Sequence, residues 1–171
     1  MVTKTETQTY VYATYIRTTP EKLWEALTGG DFTEQYWMGY RMEIEQRAGG
    51  RFRMVPPKGV PSKWNDGKVL ACEPGRKLVF EFSIKDAPEV AAKRDGPSRV
   101  TYELQPLGEM VRLRLTHENL LPEDTETDPN TLRGINNGWP AVMSSLKSLL
   151  ETGRAIPLES CASPASASAR A

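Results

Sequence analysis

Residues 138–153 carry the one long amphipathic stripe in this chain. Trp139, Val142, Met143, Leu146, Leu149 and Leu150 recur at i, i+3, i+4, i+7, i+10 and i+11, which places them on a single helix face. Gly153 suits the left-handed end of that helix. Pro140 is tolerable only in its first turn, because an interior proline removes a hydrogen bond and collides with the turn before it. A helix with one apolar face has to bury it against another layer. The rest of the sequence says that this layer is a sheet.

The chain ahead of the stripe reads mostly in period two. Residues 9–17 are rich in aromatic and β-branched side chains, as a strand requires. A helix follows over 20–28, with Thr19 as N-cap, Pro20 in the first turn, and Leu23, Trp24 and Leu27 on its apolar side. A second short helix over 31–36, capped by Asp31, is expected next. Strands are expected over 41–47 and 50–55, joined around the glycine pair at 49–50, and over 67–72. Residues 78–84 alternate strictly, with Leu78, Phe80, Phe82 and Ile84 on one face. After a polar loop over 85–97 come strands over 99–107 and 110–118. Val111, Leu113, Leu115 and His117 share a face of the last one. Connections this short leave no room for crossover helices, so the sheet is expected to be antiparallel.

The fold class that results is α+β. It has a curved antiparallel sheet of about six to seven strands wrapped around the long C-terminal helix, with one or two short helices after the first strand. A chain of 171 residues fits one such domain. The expected division is a flexible N-terminus over 1–8, the domain over 9–153, and a disordered tail rich in Ala and Ser over 154–171. Lys plus Arg and Asp plus Glu each number 22, so no global field draws the protein to nucleic acid or to an anionic membrane. No apolar run approaches the roughly 20 residues that cross a bilayer, and residues 1–9 lack a signal-peptide core, so a cytoplasmic protein without membrane insertion is expected. Cys72 and Cys161 are isolated thiols, which argues against a disulfide framework and against zinc.

A set of motifs in order resembles a known family. The strand residues Tyr10, Val11, Tyr12, Tyr15 and Ile16 are followed by TPEKLWEALT at 19–28 and YW at 36–37. GGRF at 49–52, GKVL at 67–70, PGRKL at 74–78, THE at 116–118 and GWPAVMSSLKSLLETG at 138–153 complete the series. Together they are similar to the SRPBCC superfamily, the START and birch-pollen-allergen group. Within it they resemble the branch named for the C-terminal domain of the heat-shock-protein-90 ATPase activator. The resemblance spans about residues 9–153. It implies a helix-grip fold, the architecture already expected, with an internal cavity between sheet and C-terminal helix. It implies no single chemistry, since a fold hosts many functions.

His117, the only histidine, is the one candidate for acid–base chemistry, because its strand phase turns it toward the apolar side. The competing reading is a histidine hydrogen-bonded to backbone. The residues expected to line a ligand site are Trp37, Met38, Met54, Phe80, Phe82, Tyr102, His117, Trp139 and Met143, aromatic and thioether groups that make adaptable apolar walls. Trp64 lies in a loop and reads as a lid or as a surface anchor. Arg51 and Arg53 alternate with Phe52 and Met54; that alternation suggests a solvent face, but the nearby glycine pair leaves their phase open. Glu123, Asp124, Glu126 and Asp128 lack the pattern of a calcium loop and read as solvated, and no metal site or cofactor is expected. Nucleotide-binding loops and hydrolase motifs are absent from the sequence.

The function expected from these residues is binding of a small apolar or amphipathic molecule, for sequestration, transport or sensing. One alternative is a cavity enzyme of cyclase or hydrolase type using His117. Another, which the resemblance implies, is a protein-interaction domain of the chaperone-ATPase-activator kind, although a chaperone partner is less expected than a small molecule. Exposed strand edges leave room for a homodimer.

Overall fold

In the computed structural model, which describes residues 3–158, β1 (Gln8–Ile16), β2 (Arg41–Ile44), β3 (Arg51–Val55), β4 (Gly67–Glu73), β5 (Lys77–Glu81), β6 (Arg99–Leu107) and β7 (Met110–Leu120) make one seven-stranded sheet. Its order is β1-β7-β6-β5-β4-β3-β2, so β2 to β7 form a meander and β1 is added outside β7. Tight turns join β4 to β5 and β6 to β7, and longer loops that hold no crossover helix join the other consecutive strands of the meander. Every pairing is antiparallel. The joint between β3 and β4 is thin, with only Arg51 opposite Lys68 and Phe52 opposite Gly67 in register.

Period-two alternation sets the inner face. Phe52, Met54, Leu78, Phe80, Val100, Tyr102, Leu113 and Leu115 are buried, and α4 (Ile135–Thr152) lays Trp139, Val142, Met143, Leu146 and Leu149 toward the same core. α1 (Pro20–Thr28) starts as its sequence requires, with the Thr19 hydroxyl accepting from the Lys22 amide at 3.3 Å. The expected helix-grip α+β fold is what the chain forms.

Several local expectations are corrected. α4 begins at Ile135, so Pro140 lies inside the helix rather than in its first turn. The helix tolerates it because Asn136, whose carbonyl loses a partner, is exposed to water. Asp31 does not cap α2 (Gly30–Tyr36); its carboxylate pairs with Arg41 at 2.8 Å instead, and Gly29 occupies the cap position. β5 stops at Glu81, and Ile84 makes only an isolated bridge to Trp64. The loop over 85–97 contains a single helical turn, α3 (Pro88–Ala91). The phase of Arg51 and Arg53 is outward: Phe52 and Met54 point into the core, and Arg53 meets Glu43 at 3.4 Å and Asp66 at 3.7 Å.

Part of the expected tail is ordered packing. The Ser145 hydroxyl donates to the Ile156 carbonyl at 2.8 Å and accepts from the Ile156 amide at 3.0 Å, and Leu158 is buried in the core. Residues 159–171, including Cys161, lie outside the described residues. Among the described residues, no helix is long and apolar enough to cross a membrane, and no group of His, Cys, Asp and Glu is placed to hold a metal ion.

Candidate functional site

At the N-terminal end of α4 the packing leaves a pocket of about 280 Å³. Several segments build it. The end of α2 brings Trp37 and Met38, the stretch after β5 brings Phe82 and Ile84, β7 brings His117, and α4 brings Trp139 and Val142. Trp64 closes one side from the loop before β4. The pocket reaches the surface beside the exposed side chains of Glu123, Glu126 and Arg133.

The backbone makes two unusual turns to put these groups here. Met38 and Gly39 are both left-handed, with φ of 49° and 79°, which swings the chain from α2 into β2 and sets Met38 on the pocket wall. A left-handed methionine is uncommon and costs energy, a pattern found more often at functional sites than elsewhere. Gly134 has φ of 93°, and a Cβ there would lie 2.3 Å from the Glu126 carbonyl oxygen, so only glycine lets the 126–134 loop fold against the start of α4.

The apolar wall is an aromatic cluster. Trp37 and Trp139 meet edge-to-face with centroids 5.1 Å apart, and Phe82 lies 5.6 Å from Trp139, 5.7 Å from Trp64 and 5.9 Å from Trp37. Such offset and edge-on pairs each add stabilisation beyond their buried area.

His117 sits against this cluster in a chain of hydrogen bonds that fixes its tautomer. The Trp139 indole N–H, which can only donate, donates to Nδ1 at 3.0 Å. Nε2 therefore carries the proton and donates to the Ser98 hydroxyl at 2.8 Å, and Ser98 in turn donates to the Phe82 carbonyl. The ring is 1% exposed. Burial is the main cause that lowers its pKa from 6.5 to about 3; the Phe82 carbonyl opposes the shift and the Arg94 charge adds to it. His117 is thus neutral near pH 7, with both ring nitrogens engaged. A general base needs a free lone pair within reach of substrate, and Nδ1 has already given its own to Trp139.

A second buried group forms part of the pocket wall through Arg94 and Asp124. Arg94, with its side chain 5% exposed, bonds Asp124 at 2.8 Å and Asp86 at 2.8 Å, and their side chains are 13% and 19% exposed. Asp124 also accepts from the Leu121 amide at 2.7 Å at the start of a 3-10 turn, Pro122–Thr125. The expectation that the acidic loop is simply solvated therefore fails for Asp124, which is drawn inward by a cation from the loop after α3.

Of the nine residues expected at a ligand site, Trp37, Met38, Phe82, His117 and Trp139 line this pocket. Met54, Phe80, Tyr102 and Met143 pack in the core between sheet and helix, away from the pocket wall. The sequence reading missed Arg94, Ser98, Ile84 and Val142. Only the apolar phases of Ile84 and Val142 offered a signal, and they did not distinguish pocket from core. Tyr102 has a further peculiarity: its hydroxyl is buried with no hydrogen-bond partner among the described residues, and burial pushes its pKa well above 10. Tyr102→Phe should therefore raise stability by about 1 kcal/mol, since an unmatched buried hydroxyl costs more than it returns. Chemical denaturation of the two proteins checks this, and a loss on substitution would mean that the hydroxyl is satisfied.

Comparison with known proteins places this geometry. The family described as "Activator of Hsp90 ATPase homolog 1-like protein" matches residues 17–151. No curated protein matches the chain significantly. Among solved structures, protein MLL2253 from Mesorhizobium loti is 28% identical with a TM-score of 0.66, over 84% of this chain and 97% of that one. The Aha1 dimer from Colwellia psychrerythraea is 22% identical with a TM-score of 0.59, over 85% and 98% of the two chains. An HSP90 activator from Plasmodium falciparum is 21% identical with a TM-score of 0.62, over 83% and 95%. At these last two identities the likeness shows a shared fold.

Proposed function

The chain belongs to the Activator of Hsp90 ATPase homolog 1-like family, and from that premise we propose that it binds a small, largely apolar molecule in the aromatic pocket at the start of α4. The observation that carries this reading is the pocket wall itself: Trp37, Trp64, Phe82 and Trp139 surround one space of about 280 Å³. Small-molecule pockets run from roughly 300 to 1,000 Å³, so this one suits a ligand of one or two rings. The engaged state of both His117 nitrogens favours binding over acid–base catalysis. A chaperone-directed or dimeric role has two structural relatives as its support, the Aha1 dimer from Colwellia psychrerythraea and the HSP90 activator from Plasmodium falciparum.

The test uses the protein's own fluorescence. Three of its four tryptophans, Trp37, Trp64 and Trp139, line the pocket. Titration with the neutral two-ring probe 1-naphthylamine should quench them saturably at one probe per chain. Val142→Phe, which fills the pocket from α4, should weaken that binding at least tenfold. Absence of saturable binding to the wild-type protein overturns the reading.

A further inference from the structure

The polar groups on the pocket wall divide into those the protein already uses and those it does not. Ser98 and His117 are used: the Nε2–H of the imidazole goes to the Ser98 oxygen, the Ser98 O–H goes to the Phe82 carbonyl, and Nδ1 accepts from Trp139. At the solvent rim, Glu123 is paired with Lys93 and Glu126 with Arg133. The unused valences of the inner wall belong to Arg94, Asp124 and Trp37.

Arg94 carries five N–H donors. Nη1 donates to Asp124 and Nη2 to Asp86, one bond each, and its Nε–H has no acceptor among the described residues. The side chain is 5% exposed, so bulk water does little for the donors that remain. The Arg94 charge also acts on His117, another group of the same wall, so the guanidinium stands beside the pocket rather than behind it.

Asp124 is half used in the same way. Both of its bonds, from Arg94 at 2.8 Å and from the Leu121 amide at 2.7 Å, end on Oδ2. Oδ1 accepts nothing among the described residues, in a side chain 13% exposed. Trp37 adds a donor. The indole N–H groups of Trp24 and Trp139 meet Gln46 and His117, whereas that of buried Trp37 meets no acceptor among the described residues.

A ligand is therefore offered donors by Arg94 and Trp37 and an acceptor by Asp124, with Arg94 and Asp124 side by side. A buried polar group left unmatched costs more than a matched one returns. A carboxylate would accept from Arg94 but be repelled by Asp124. An ammonium has no lone pair to offer Arg94 or Trp37. A hydroxyl is the smallest group that does both, accepting through its oxygen and donating through its hydrogen, and it brings no charge to desolvate.

We propose that the pocket's ligand carries a neutral hydroxyl on a one- or two-ring body, its oxygen accepting from Arg94 and its O–H donating to Asp124 Oδ1. This rests on the small-molecule reading above and narrows it to one chemical class. The rings fill the aromatic space, and the hydroxyl end lies at Arg94 and Asp124.

Four probes on one naphthalene separate this inference from the reading beneath it: 2-naphthol, 2-methoxynaphthalene, 2-methylnaphthalene and 2-naphthoate. Calorimetric titration at pH 7 should find 2-naphthol the tightest. Its lead over 2-methoxynaphthalene, which accepts but cannot donate, should be about tenfold, the worth of one charge-assisted hydrogen bond. Asp124→Asn removes the carboxylate acceptor, so it should bring that ratio several-fold closer to one. An ether or methyl probe that binds as tightly as 2-naphthol, tightest binding of the carboxylate, or a ratio unmoved by Asp124→Asn overturns the hydroxyl inference and leaves the pocket standing. Failure of all four probes to bind overturns the pocket reading itself. If Asp124→Asn does not fold, the wild-type ranking decides alone.

Discussion

Lowering the pH from 7 to 5 should cost this protein about 2 kcal/mol of folding stability, with His117 as the cause. The chain has one histidine, so no other side chain has an ordinary pKa in that window. In the folded state its imidazole titrates near 3; in the unfolded chain it returns to about 6.5. Between those values the unfolded chain binds a proton that the folded one refuses. The stability that depends on neutral His117 is therefore complete above about pH 6.5 and is lost progressively as the pH falls toward 3. The geometry gives the cause. Protonation would put an N–H at Nδ1 opposite the Trp139 indole N–H, two donors facing each other at 3.0 Å in a buried site.

Urea denaturation at a series of pH values measures this slope. His117→Gln is the informative variant, because a glutamine amide offers one acceptor to Trp139 and one donor to Ser98 yet does not titrate in this range. It should flatten the profile between pH 7 and 5. A slope that survives the substitution would assign the pH dependence to other groups and remove the hydrogen-bond chain as its origin.

The contrast between His117 and Arg94 shows what sequence can and cannot convey here. The inward direction of His117 followed from its period-two phase with Val111, Leu113 and Leu115, all buried as that phase requires. The stripe of α4 was legible for the same reason, since a period of 3.6 is a local property. The identity of the partners was not local. Ser98 lies 19 residues from His117 and Trp139 lies 22, and strand pairing and helix docking bring them together. No spacing rule distinguishes these polar groups from solvated ones. The pocket's position was hidden likewise: Phe80, Tyr102 and Met143 have the same apolar phase as Phe82, Val142 and Trp139, and only the left-handed turn at Met38 and the 126–134 loop make one set core and the other wall. Pro140 misplaced the start of α4 because an exposed Asn136 removes the usual penalty, and exposure is a tertiary fact.

Arg94→Met should be the most damaging single change outside the hydrophobic core, costing about 3 kcal/mol at neutral pH. Removing one member of a buried ion network leaves the others uncompensated, a loss of roughly 3–5 kcal/mol. The lower end applies because the side chains of Asp86 and Asp124 keep 19% and 13% exposure, and water softens their repulsion. Methionine replaces the aliphatic stem, so the deficit reports charge rather than a cavity. The damage should also be repairable. Adding Asp86→Asn to Arg94→Met removes one of the two abandoned carboxylates and should recover at least 1 kcal/mol. In the wild-type background the same Asp86→Asn should cost less than 1 kcal/mol, because Arg94 keeps Asp124 at 2.8 Å. A double-mutant cycle by chemical denaturation reads this non-additivity directly. If Arg94→Met costs under 1 kcal/mol, or if Asp86→Asn is equally harmful in both backgrounds, the three side chains are not energetically coupled. Coupling, if found, has a consequence for the pocket. Arg94 is the cation that ties the loop after α3 to the 3-10 turn ahead of α4, so the group that stabilises this end of the fold also holds in place the charge that a ligand would meet.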